Sequence, residues 1–169
     1  MAGSVATELR TKMDAAQTNL FRQLDGMEPH LEKSDAPGEW TAREVLSHLL
    51  FEPGFDPVAT LKTFHATNLP LIDIDPGKTH LDGPRKTMTV AQFKTALAQQ
   101  QKSVVGYVES LSDADLQARK GRIPLFKQYM QTEEIPIAMY VGALFDYHRN
   151  DHAGQLAKIR QTSGLPEAK

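Results

Sequence analysis

The chain contains no cysteine among its 169 residues. This absence excludes disulfide scaffolds, zinc sites built from thiolates, and a cysteine nucleophile. Any transition-metal site must therefore be built from histidine, aspartate and glutamate side chains. The sequence holds six histidines, and their arrangement decides whether such a site exists.

A strong charge of either sign and a long apolar run are also lacking. The formal net charge is −2, from 19 Lys and Arg against 21 Asp and Glu, so we expect no nucleic-acid partner. No apolar run could cross a bilayer, and the polar N-terminus does not fit a signal peptide, so we expect a cytoplasmic protein without a membrane partner. Length and composition predict a single domain over 1–169.

Two helices are predicted in the first half of the chain. Apolar residues recur every three or four positions over 4–27, which is the period of one face of an α-helix. Thr41 and Glu44 have the spacing of a capping box, which marks the start of helix 2 just after Trp40. Pro53 and the glycine after it should kink or end that helix. A further helical piece is expected over 58–67.

Two more helices are predicted in the second half. Thr89 and Gln92 form another capping-box pattern that opens helix 3, and helix 4 is expected to begin within 132–136. No segment has the alternation of a convincing strand, and 68–88 and 119–131 are predicted as loops. The predicted fold class is therefore all-α, a four-helix bundle. The long connection between helices 2 and 3 allows a crossover.

Two histidines interrupt the apolar face of helix 4. The inward positions of this helix are Ile137, Val141, Leu144, His148, His152, Leu156 and Ile159. Residues four apart project from the same side of a helix, so His148 and His152 could both bind one metal ion. A shared ion would solve the desolvation of two buried imidazoles, although buried carboxylates or a position at the bundle rim would also serve.

His48 is the third candidate ligand, because it lies within the apolar stretch of helix 2. Three histidines that leave coordination positions open are typical of a catalytic metal site, and zinc, nickel, copper or iron(II) could accept them. His30 and His80 fall in a turn and in the connector, and His65 is expected at the surface, with access to the bundle mouth as the alternative. Candidate acceptors for the outer N–H groups of the ligands are Asp56, Asp146 and Asp151.

Two segments carry a family resemblance. The stretches GEWTAREVLSHLL (38–50) and HRNDHAGQLAKIR (148–160), with LSDADL (111–116) between them, resemble the DinB/YfiT-like superfamily of metalloenzymes. The resemblance implies a DinB-like four-helix bundle with an up-down-down-up course, and zinc or nickel bound by His48, His148 and His152. It also implies a homodimer, since homodimers are frequent in the family. Characterised relatives include thiol-dependent S-transferases and a mycothiol-dependent maleylpyruvate isomerase.

The sequence departs from that pattern at Pro53-Gly54 and in the long segment 68–88, so the substrate cannot be transferred from the family. A bound metal would lower the pKa of a water or of a small-molecule thiol. We therefore expect a thiol S-transferase or a hydrolase acting on a small molecule, with Glu52 as a candidate for the general base. Since the chain has no cysteine, the thiol would come from a low-molecular-weight cosubstrate. The alternatives are a non-catalytic metal-binding or stress-related dimer, and a helical core without metal.

Overall fold

The computed structural model describes residues 3–168, and helices dominate it. The α-helices are α1 (Ser4–Gln23), α2 (Ala42–Leu49), α3 (Pro57–Thr63), α4 (Val90–Glu109), α5 (Asp113–Ala118), α6 (Lys127–Met130), α7 (Ile137–Gly142) and α8 (His148–Thr162). The 3₁₀ turns are Glu28–His30, Gly83–Thr87 and Pro124–Phe126, and a π-helical turn at Ala143–Tyr147 joins α7 to α8. None of the helices within 3–168 is long and apolar enough to span a bilayer.

Both predicted capping boxes are present. Thr41 Oγ1 accepts from the Glu44 backbone N–H at 3.2 Å, and Glu44 Oε2 accepts from the Thr41 N–H at 2.8 Å. Thr89 and Gln92 make the same two hydrogen bonds at the start of α4, again at 3.2 and 2.8 Å. Each box satisfies two N–H groups that have no partner within the helix, which fixes where the helix begins.

The bundle is formed by α1, α2, α4 and the run from α7 to α8. Helix α1 packs against α4 and against the run from α7 to α8, and α2 contacts α4 and α8. The predicted all-α four-helix bundle is thus confirmed, and the up-down-down-up order stays a prediction. Helix α1 ends at Gln23, a few residues before the predicted limit.

A polar layer divides the bundle core. One apolar cluster includes Val104 of α4 and Phe145 of the π turn, and a second includes Leu97 of α4 and Ala153 of α8. Between these positions along the two helices lie buried Gln101, and His148, Arg149 and His152. Polar groups enclosed in this way need partners, because burial without hydrogen bonds is costly. The candidate site lies in this layer.

The prediction that no strand is present was wrong. Strand β1 (Lys120–Arg122) pairs antiparallel with β2 (Glu134–Pro136), in place of part of the loop predicted over 119–131. Strands of three residues are too short for alternation to be visible in the sequence. Because Glu134–Pro136 is extended, the last helical run begins at Ile137 and not within 132–136.

The predicted helix 4 is not a continuous α-helix. From Leu144 to Leu156 its inward positions are four residues apart, which is wider than the α-helical period. The π turn at Ala143–Tyr147 holds more residues per turn, so Leu144 stays buried while His148, directly after the turn, is directed into the bundle. Such turns within α-helices are frequent at functional sites.

Candidate metal centre

Three histidines from two helices converge on one point. The Nε2 atom of His148 lies 2.9 Å from Nε2 of His48 and 3.1 Å from Nε2 of His152. One ring nitrogen from each lies within 4.8 Å of the other two. The structure thus brings together the three residues that the sequence singled out.

Local backbone features direct these side chains inward. His48 occupies the last turn of α2, which ends where Phe51 adopts a left-handed conformation at φ +60° and donates its N–H to the His48 carbonyl. A left-handed residue at this point commonly ends a helix. His148 and His152 are one turn apart at the start of α8.

Hydrogen bonds to the outer ring nitrogens set the tautomers of two histidines. Nδ1 of His48 donates to the Lys78 carbonyl at 2.7 Å, and Nδ1 of His152 donates to Gln155 Oε1 at 2.9 Å. A neutral imidazole that carries its proton on Nδ1 has a lone pair on Nε2. Both residues therefore present a lone pair to the centre of the cluster.

His148 cannot satisfy this arrangement by itself. A single proton on its Nε2 would have to serve the lone pairs of both His48 and His152, so one of these two lone pairs would have no donor. A cation at the centre would accept all three lone pairs at once. In a tetrahedral site with metal–nitrogen distances near 2.05 Å, ligand nitrogens lie about 3.3 Å apart. The residues present fit a transition-metal ion.

Burial keeps the cluster neutral. Desolvation, and then the charges of His152 and His48, lower the pKa of His148 to about 3. The Leu144 carbonyl acts in the opposite direction, although its geometry falls short of a hydrogen bond to the buried Nδ1. Burial also lowers the pKa values of His48 and His152. Neutral imidazole is the form that binds metal, so the site is in its binding form at neutral pH.

The single tryptophan packs beside the cluster. The ring of Trp40 lies 4.9 Å from that of His48 and 6.1 Å from that of His152, and it is nearly parallel to the latter. The sequence places Trp40 just before the Thr41 cap, but it does not predict the contact with the histidines. The indole reduces the access of water to one side of the site.

Arg149 is fully buried beside the histidines. Its guanidinium donates to the side-chain oxygens of Gln17, Gln100 and Gln101 at 2.5–3.0 Å and lies 5.2 Å from the Phe145 ring. Within 3–168 no carboxylate forms an ion pair with it, and burial lowers its pKa to about 10. The amide network ties α8 to α1 and α4. No sequence pattern indicated a buried arginine at this position.

Other predicted site residues lie outside the cluster. Glu52 is exposed beyond the end of α2, and its role as a base stays a prediction. His65 is exposed and hydrogen-bonded to the Tyr107 hydroxyl, and His80 lies near enough for its charge to lower the pKa of His48.

The predicted carboxylate acceptors were wrong. Asp56 accepts from the Val58 N–H and Asp146 accepts from Asn150, while Asp151 is exposed and makes no hydrogen bond to a histidine. Gln155 and the Lys78 carbonyl accept instead. Gln155 could have been found, since it follows His152 by three positions on the same helix, but a backbone carbonyl in a loop carries no sequence signal.

Comparison with known proteins finds a similar fold but no similar sequence. No protein-family model matches the chain, and no curated protein matches it in sequence. Among solved structures, YfiT from Bacillus subtilis superposes with a TM-score of 0.75 at 17% identity, over 95% of this chain and 89% of its own. YfiT is described as a probable metal-dependent hydrolase with an unusual four-helix bundle topology. The chain therefore has the YfiT-like fold.

Proposed function

We propose that the chain binds one divalent transition metal through the Nε2 atoms of His48, His148 and His152. The observation that carries this proposal is the convergence of three neutral imidazoles, two of them held by outer hydrogen bonds with their lone pairs facing inward. Three imidazole ligands suit zinc and nickel, and we propose one of these as the physiological metal. Hydrogen bonds of the type made by Lys78 and Gln155 orient metal ligands and raise their basicity.

We further propose that this site makes the chain a metal-dependent enzyme acting on a small molecule. Bound to three protein ligands, such a metal keeps a position open and lowers the pKa of a water or a thiol. The residues of the chain hold the site rigid and exclude bulk water. Helices α2 and α8 position the imidazoles, and Trp40 packs against two of them. Arg149 hydrogen-bonds to Gln17 of α1 and so links α8 to that helix.

Two reaction types follow from the two nucleophiles. Hydrolysis is supported by the fold shared with YfiT, a probable metal-dependent hydrolase. Transfer of a small-molecule thiol is supported by the ligand cluster, which within residues 3–168 consists of three histidines and includes no carboxylate. The homodimer implied by the family resemblance and the cytoplasmic location expected from the sequence stay predictions.

The test is a comparison of metal-loaded and metal-free protein. Protein stripped by a chelator and reloaded with zinc or nickel is assayed against ester and amide substrates, and against a thiol paired with an electrophile. We expect turnover that requires the metal and disappears in the His152→Ala variant. The matched control is His65→Ala, which removes a histidine outside the cluster and should retain turnover.

The outcomes separate the alternatives. Metal uptake without turnover of any substrate would favour the non-catalytic metal-binding protein. Turnover that is equal with and without metal would contradict a metal-dependent mechanism.

A further inference from the structure

A cavity lies outside the histidine cluster. Its volume is about 560 Å³, and it is open to solvent on one side and bordered by the loop between α2 and α3, the 3₁₀ turn at Gly83–Thr87 and the middle of α4. None of the three histidines lines it. Its apolar walls include Leu50, Phe55 and Met88. Cavities of this size, mostly apolar with a few polar groups, are typical of small-molecule sites.

Arg85 is the cation of this cavity. Its Nη1 donates to the carbonyls of Phe51 and Ser47 at 2.5 and 3.1 Å, which fixes the guanidinium against the end of α2. Its Nε and Nη2 make no hydrogen bond to any residue of the described chain, and both atoms are accessible to solvent. An arginine held on one side with donors free on the other is suited to bind a carboxylate.

Two carboxylates also line the cavity and restrict what can bind. Asp56 is engaged at the start of α3, where its Oδ1 accepts from the Val58 N–H at 2.9 Å. Asp82 has no ion-pair partner within residues 3–168, and its charge is close enough to influence Arg85. A simple anion would meet the negative charge of Asp82. A ligand with both an ammonium and a carboxylate would complement the pair.

We propose that this cavity binds a zwitterionic amino acid with an apolar side chain. Its carboxylate binds Arg85, its ammonium lies toward Asp82, and its side chain packs against Leu50, Phe55 and Met88. The proposal is independent of the metal site, because the cavity contains none of the histidines. Binding therefore persists when the metal has been removed.

The test uses L-phenylalanine as the probe, with binding measured by calorimetry or ligand-observed NMR on the full chain treated with a chelator. Its analogues 3-phenylpropanoate and 2-phenylethylamine lack the ammonium and the carboxylate, respectively. We expect phenylalanine to bind at least about tenfold more tightly than either analogue, since each loses one charge-assisted contact. Equal affinity for all three, or no binding at about 10 mM phenylalanine, would overturn the proposal.

Two variants place the binding in this cavity. Ala96→Phe adds a ring to the α4 wall of the cavity and should abolish binding. The matched control is Ala98→Phe, because Ala98 lines a different groove between α1 and α4 and should retain phenylalanine binding. If Ala96→Phe binds phenylalanine as the wild type does, the cavity is not the site.

Discussion

Acid should destabilise the metal-free protein, and His148 should carry much of the effect. Its pKa is about 3 in the folded chain against an ordinary value of 6.5. The unfolded chain takes up this proton more readily than the folded chain. The contribution of His148 to the free energy of unfolding is therefore fully present above pH 6.5 and is lost as the pH falls from there toward 3. From these two pKa values, the loss at pH 5 is about 2 kcal/mol.

The assay is urea unfolding of chelator-treated protein at pH 7 and pH 5. With a urea dependence of about 2 kcal/mol per molar, the midpoint should fall by about 1 M. The His148→Gln variant lacks this proton site. Between pH 7 and pH 5 its urea midpoint should therefore fall by about 1 M less than that of the wild type. His30→Gln is the control, since it removes a histidine outside the cluster. Equal acid sensitivity of the wild type and His148→Gln would refute the reasoning.

Three further perturbations test the surroundings of the cluster. Gln155→Leu should weaken metal binding about 10- to 100-fold in competition with a coloured chelator, and unchanged affinity would show that the outer hydrogen bond is dispensable. Cobalt(II) or nickel(II) should quench the fluorescence of Trp40, which lies beside two of the histidines, and quenching that persists in His48→Ala would place the ion elsewhere. Arg149→Met should lower the urea-derived free energy of unfolding by about 3 kcal/mol, because buried amide oxygens lose their donor; a stable variant would mean that these amides find other partners.

Local sequence signals predicted the helical frame well. The capping pairs at Thr41 and Thr89 mark helix starts through hydrogen bonds between residues three apart, so they can be read without tertiary information. The hairpin of β1 and β2 could not be read in this way, because its short strands depend on pairing between distant segments. The only sign of the π turn in the sequence is the unusually wide spacing of the inward residues around His148.

The candidate site was predictable to a similar extent. The three histidines stood out because they replace apolar residues on inward faces, and helical periodicity fixes those faces. The Lys78 carbonyl depends on the path of a long connector, and the burial of Arg149 depends on glutamines from α1 and α4 meeting it across the bundle. Neither property follows from spacing along the chain.

Metal content is the most direct test of the central claim. The purified protein is loaded with zinc or nickel, freed of excess ion by gel filtration, and subjected to elemental analysis beside a variant with His48, His148 and His152 all changed to Ala. We predict about one tightly bound ion per wild-type chain and none in a folded triple variant. A wild-type chain that retains no metal, or a triple variant that retains one ion per chain, would contradict the assignment.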